Sequence, residues 1–278
     1  MSRAAIEERI KAHPVTGTPA EMRLAFARLM GSSPIEQMIT LGGVRCAQFG
    51  TGPIAVWLHG GGYVFGSARS HARAARALAE RAMCAVIVPE YRLAPEHPWP
   101  AALQDACRVV DACRTPVMLV GDSAGGHLAL TVARRRPDQV RKLVLISPNT
   151  DRSGRSQTRR ANTATDLMNA DEDDRRLARI AMPDHDPSHP DISPILADLS
   201  MLPPTFVTAS TREVLLDDAL LLIGALGRAG VPVTAEIIAH LWHLWPLWPG
   251  ELPQADQTLR AIAAFLTRSG NQGPGRGV

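Results

Sequence analysis

The six residues Gly121-Asp122-Ser123-Ala124-Gly125-Gly126 stand between the apolar run Val117 to Val120 and a helix-like stretch, His127 to Arg136. A strand that becomes a helix across so few residues needs a tight reversal. Glycines at 121 and 125 remove the Cβ atoms that would collide as the helix folds back over its strand. Along the chain, strand-like runs near 44–49, 54–58, 85–88, 117–120, 142–146, 205–209 and 233–238 alternate with helix-like stretches near 68–83, 101–113, 124–135, 214–229 and 255–268. Such alternation predicts an α/β fold, a mostly parallel sheet with helices on both faces. Two segments fall outside the alternation: 1–40, with amphipathic helix-like runs, and 152–190, polar and highly charged.

A Gly-X-Ser-X-Gly run between a strand and a helix is the pattern of a nucleophile elbow, in which one serine hydroxyl is held out of the chain. Ser123 is therefore the candidate nucleophile. The following helix points its uncommitted N–H groups and positive dipole end at that serine, which suits a developing oxyanion. Upstream, His59-Gly60-Gly61-Gly62-Tyr63 follows the apolar run Ile54 to Leu58. Three glycines there let backbone N–H groups approach a substrate oxygen. Gly61 and Gly62, with Ala124, are the expected oxyanion donors.

The order and spacing of these runs resemble bacterial members of the hormone-sensitive lipase family of α/β-hydrolase esterases. The residues carrying the resemblance are His59 to Tyr63, Tyr91 to Ala102, the elbow, Ser193-Pro194-Ile195 with Leu199 to Pro204, Glu213 to Asp218, and His243 with Leu252-Pro253; it spans about residues 20 to 268. It implies an α/β-hydrolase fold with a helical cap from about 1–40 and 152–190. It also implies a carboxylic-ester hydrolase acting on short- to medium-chain acyl esters through an acyl-serine, with no metal or organic cofactor, in a possible homodimer. His243 takes the base position, ten residues before Pro253, with His240 as its competitor. Glu213 takes the acid position, where many members carry aspartate, and Asp217 and Asp151 remain alternatives. A lactone or amide substrate is compatible with the same triad, and a non-catalytic ligand receptor on the same fold is the reading from another class.

Aromatic residues cluster near both ends of the expected site. Tyr63 and Phe65 flank the glycines, and Trp242, Trp245 and Trp248 surround His243. Tyr63 and Trp245 are the expected substrate-binding residues, the alternative being that the tryptophans pack between the last loop and the cap.

Composition agrees with one catalytic domain over 1–278. At 278 residues and 45% hydrophobic side chains the chain can bury one large core. The net charge of +3 comes from an arginine-dominated set whose only lysines are Lys11 and Lys142. Arginines at 134 to 136 and 152 to 160 come without a nucleic-acid motif, so they are expected to be solvated surface and no nucleic-acid partner is expected. Met1 to Lys11 lacks the apolar core of a signal peptide, and no run reaches the length of a membrane span. A cytoplasmic location is the expectation. Cys46, Cys84, Cys107 and Cys113 lack metal-ligand spacing and are expected to be reduced and packed. The glycine-rich tail 269–278 is expected to be disordered.

Overall fold

The computed structural model describes residues 2–31 and 33–268; the tail expected at 269–278 lies outside the described residues. In chain order the elements are α1 (Arg3–Ala12), α2 (Pro19–Met30), β1 (Gln37–Leu41), β2 (Val44–Phe49), β3 (Ile54–Leu58), α3 (Ala68–Ala82), β4 (Ala85–Pro89), α4 (Ala101–Asp111), β5 (Val117–Asp122), α5 (Ala124–Arg135), β6 (Val140–Ile146), α6 (Thr158–Ala161), α7 (Asp171–Ala181), β7 (Thr205–Ser210), α8 (Leu216–Arg228), β8 (Val233–Ile238) and α9 (Pro253–Thr267). The described residues form an eight-stranded sheet in the order β1-β2-β4-β3-β5-β6-β7-β8. β2 runs antiparallel to β1 and β4, and every other pair is parallel.

The strands read as near-continuous apolar runs because both faces of the sheet are covered. Along β3, Val56 and Leu58 enter the core on one face while Ala55 and Trp57 enter the core on the other. β5 divides in the same way, Val117 and Leu119 on one side, Met118 and Val120 on the opposite side. This is the two-residue period of a pleated strand serving two hydrophobic layers. Residues of α4, α5 and α8 fill the first layer; α3 and α9 fill the second. All four cysteines are free and buried, as expected.

The first forty residues depart from expectation in one respect. Gln37–Leu41 is the sheet's edge strand, paired with β2 from Gln37↔Gln48 to Leu41↔Val44. The turn between them is Gly42-Gly43, at φ 55° and 79°, a two-residue loop whose positive φ angles suit a hairpin. The non-strand part of the segment is thus α1, α2 and their connections. α2 begins at a reciprocal cap in which Thr18 accepts Glu21 N while Glu21 accepts Thr18 N. Its Met22, Phe26, Leu29 and Met30 are buried.

Candidate active site

The register of the central strands decides which loops meet. Leu58 of β3 pairs with Gly121 of β5, and Asp122 pairs with Ile146 of β6. The loops that follow these strands therefore leave the same edge of the sheet side by side, as in other parallel α/β sheets. His59 to Tyr63, Ser123 and Ser147 all lie there. β7 and β8 add Glu213 and His243 from the loops after their carboxyl ends.

Ser123 sits at φ 54°, ψ −121°, a backbone conformation costing on the order of 1–3 kcal/mol for a residue with a side chain. The turn exists because Gly125 lies against the end of β3: a Cβ there would meet His59 O at 2.5 Å. Ser123 N donates to Ile146 O at 2.9 Å, tying the strained residue to β6. Among the described residues, the N–H groups of Gly61, Gly62 and Ala124 donate to no backbone acceptor.

His243 and Glu213 form a buried pair, Nδ1 to Oε2 at 2.7 Å. The other oxygen of Glu213, Oε1, accepts Ser210 N at 2.7 Å and Ser147 Oγ at 2.9 Å, so the carboxylate is held from two strand ends. Burial lifts the Glu213 pKa above the usual carboxylate range, against the pull of the His243 hydrogen bond. Burial opposes the charged imidazole of His243, but the hydrogen bond and charge of Glu213, with Asp166 behind them, raise its pKa above the ordinary histidine value. Nδ1 thus carries the proton toward Glu213, and Nε2 is left for chemistry.

Ser123 and His243 line one cavity of about 50 Å³ together with Gly61, Gly62, Phe65, Leu244 and residues of the two outlying segments. Val15, Met22 and Phe26 come from the N-terminal segment; Met168, Asn169, Asp173, Arg176 and Leu177 come from the 152–190 insertion. Ser123 and His243 share no hydrogen bond here, and such contacts often tighten only with substrate bound. A larger cavity of about 720 Å³, bordered by Pro100, Cys107, Arg136 and His185, contains neither residue. The candidate nucleophile and base border the smaller one.

The competing residues are placed elsewhere. His240 is exposed, its N–H donating to Thr211 Oγ1. Asp217 accepts Gln157 N at 2.7 Å and Thr158 N at 3.0 Å, at the start of α6. Asp151 accepts the N–H groups of Ser153, Arg155 and Ser156 where the insertion begins.

Two pocket expectations are corrected. Tyr63, at φ 64°, turns its ring away from the cavity; its hydroxyl pairs with His127 Nδ1 and its ring meets Trp99 edge to face at 5.6 Å. Trp245 is wholly buried, with its indole N–H on Thr258 Oγ1 of α9, and Trp242 and Trp248 pack edge to face at 5.8 Å in the same core. Phe65 does line the cavity, its ring 5.1 Å from that of Phe26.

Two carboxylates of the site carry no recognisable role in the sequence. Asp122, 1% exposed, accepts Trp57 Nε1 at 2.7 Å, Gly60 N at 2.9 Å and His71 Nε2 at 3.1 Å. It sits inside the elbow motif, but its partners come from three separate elements. Asp166, in the insertion, bonds to the loops of both His243 and Glu213. Nearby, buried Arg159 of α6 joins Asp174 of α7, Asp218 of α8 and Asn149. Burial opposes the charged form of Asp174, but the charges and hydrogen bonds of Arg152 and Arg159 hold it well below the usual carboxylate range.

No helix among the described residues is long and apolar enough to cross a membrane. A family model described as α/β hydrolase fold matches residues 55–247. The acetyl-hydrolase of Streptomyces hygroscopicus is 35% identical over 232 residues, covering 80% of this chain and 78% of that protein. An esterase of Acinetobacter venetianus is 31% identical over 277 residues, covering 90% and 91%. A crystal structure described as an esterase from the bacterial hormone-sensitive lipase family is 28% identical and matches with a TM-score of 0.88, over 96% of this chain and 99% of that one. The chain belongs to the α/β-hydrolase fold family, on its bacterial hormone-sensitive lipase branch.

Proposed function

We propose that the protein is a serine carboxylic-ester hydrolase acting on short acyl esters. The observation that carries this reading is the convergence of Ser123, His243 with its buried partner Glu213 behind it, and Gly61 and Gly62 with their uncommitted N–H groups on one small cavity, the uncommitted N–H of Ala124 lying next in the chain to Ser123. Ser123 Oγ attacks the ester carbonyl while His243 Nε2 takes its proton, and Glu213 stabilises the imidazolium without accepting that proton. The negative oxygen of the tetrahedral intermediate is held by the three N–H groups, each worth about a hundred- to a thousand-fold in turnover. Collapse expels the alcohol, which takes its proton from His243 and leaves an acyl-serine. Water, deprotonated in turn by His243, then attacks that acyl group; the acid departs and the proton returns to Ser123.

The preference for short chains rests on the walls. Met22, Phe26 and Leu177 close the cavity over Ser123 to about 50 Å³, so a long acyl chain must displace packed side chains, an unfavourable exchange in a dense interior. The segments that supply these walls act as the cap of the site. The test is release of p-nitrophenol from its acetate, butyrate and laurate esters by the protein and by Ser123→Ala. Butyrate turnover lost in the variant supports the reading; equal rates in both overturn it. A parent faster on laurate than on butyrate overturns the chain-length part alone.

A further inference from the structure

Asp166 belongs to the insertion between β6 and β7, far in sequence from Ser123, Glu213 and His243, and is 9% exposed. Its Oδ1 accepts the backbone N–H of His243 at 3.1 Å and that of Met168 at 3.1 Å. Its Oδ2 accepts the N–H of Val214, the residue after Glu213, at 3.1 Å. One carboxylate is therefore bonded to the loop of the base, the loop of the acid and the stretch of insertion that lines the cavity.

We propose that Asp166 is a positioning residue for ester hydrolysis, which fixes His243 against Glu213 and, as an anion, favours the imidazolium that His243 becomes during the reaction. The proposal rests on the serine-hydrolase reading of Ser123, Glu213 and His243. Hydrogen bonds to a carboxylate are about twice as strong as those to a neutral acceptor, and three of them converge here, one from each of the loops of His243 and Glu213 and one from the insertion itself. A shift of an ångström in a base can cost about a hundred-fold in rate, so a clasp at the base's own backbone acts where placement matters most. The charged groups acting on His243 are Glu213, Asp166 and, farther off, Asp122. Glu213 meets Nδ1, Asp166 lies at the backbone N–H, and Asp122 is hydrogen-bonded to His71. Burial raises the pKa of Asp166 above the usual range, while the charge of His243 and the three N–H groups favour its ionised form.

A neutral side chain at 166 removes an anion held at the backbone of His243, so the His243 pKa falls and the acid limb of the rate profile moves to lower pH. A clip that only held the fold together would lower the rate and leave that limb in place.

The test compares the parent with Asp166→Asn, which keeps shape, and Asp166→Ser, which leaves space for a water. Two quantities are measured from about pH 5 to 9: kcat and KM on p-nitrophenyl butyrate, and the rate at which an organophosphate fluoride labels Ser123, read by mass spectrometry. The expected result for the variant that retains the parent's circular dichroism is a fall in kcat of about tenfold, KM within about twofold, and an acid limb lowered by about half a pH unit or more in both measurements. An unchanged acid limb in a folded variant, with or without a slower rate, overturns the proposal. So does collapse of both variants, which assigns Asp166 to the fold alone. A parent that neither turns over ester nor labels at Ser123 overturns the underlying hydrolase reading, an outcome distinct from failure at Asp166.

Discussion

Gly60 N donates to Asp122 Oδ2 at 2.9 Å, so the residue immediately before Ser123 holds the start of the glycine loop that faces it. The proposed nucleophile and the proposed oxyanion loop are thereby fixed to one another through a single buried side chain.

Removing that side chain should harm both stability and rate. Asp122→Ala leaves Trp57 Nε1, His71 Nε2 and Gly60 N without their acceptor. Each buried donor left without its acceptor costs about 1–3 kcal/mol, and a loosened glycine loop should lower kcat by about a hundred-fold. Urea denaturation and steady-state kinetics check the two effects separately; a stable variant with parental kcat contradicts both.

The acid is tested by changing its charge at constant shape. Glu213→Gln keeps a hydrogen-bonding side chain but offers no anion to the imidazolium, and kcat should fall by about ten-thousand-fold. Glu213→Asp keeps the charge one methylene short of His243 and should retain more activity than the Gln variant. The ordering of the two kcat values is the decisive measurement.

Cavity walls should set chain length. Leu177→Ala or Phe26→Ala enlarges the space over Ser123, and the ratio of kcat/KM on p-nitrophenyl octanoate to that on butyrate should rise about tenfold, as expected for removing buried groups worth 1–3 kcal/mol of discrimination. Gly62→Ala should leave that ratio in place and strain the loop itself, since its Cβ would stand 2.6 Å from Leu177 Cδ1 on a backbone at φ 61°. Its effect should appear in turnover of every ester, long or short.

Acid sensitivity follows from buried neutral histidines. Burial, aided by the charge of Arg152, pushes His127 down to about 3, and burial with His71 pushes His59 down to about 3. An unfolded histidine titrates near about 6.5, so the unfolded chain takes up protons first as pH falls. The contribution to stability is full above that value and declines toward pH 3, by about 2 kcal/mol per histidine at pH 5. Glu213, Asp166 and Asp218, whose pKa values are raised, contribute with the opposite sign. The check is therefore differential: between pH 7 and 5 the melting temperature of His127→Gln should fall less steeply than that of the parent.

The buried arginine of α6 gives a further test. Arg159→Ala takes the guanidinium from buried Asp218 and leaves buried Asp174 with Arg152, and should cost about 3–5 kcal/mol. Removing Asp218 as well should recover part of that loss in a double-mutant cycle.

Ser123, Glu213 and His243 were readable as candidates because chemistry at an elbow imposes local glycines and a fixed chain order. The sheet was readable because apolar runs and helix-like stretches alternate, yet β1 escaped: only the Gly42-Gly43 turn marked its hairpin, since its residues show no clean alternation of buried and exposed positions. Tyr63 and Trp245 were misplaced for a different reason. Sequence proximity to the glycines and to His243 says nothing about which way a ring turns, and φ 64° at Tyr63 sends it toward His127. Asp166 and Asp122 were illegible because their partners are backbone N–H groups and distant rings, which leave no spacing to recognise.

The wall contributed by Val15, Met22 and Phe26 holds none of the residues assigned to proton transfer or oxyanion binding. On the proposed function, selectivity and reactivity are therefore separable inheritances in this molecule: drift in the short stretch from 15 to 26, or its exchange for a relative's, should alter which esters are accepted while the reaction itself stays the same.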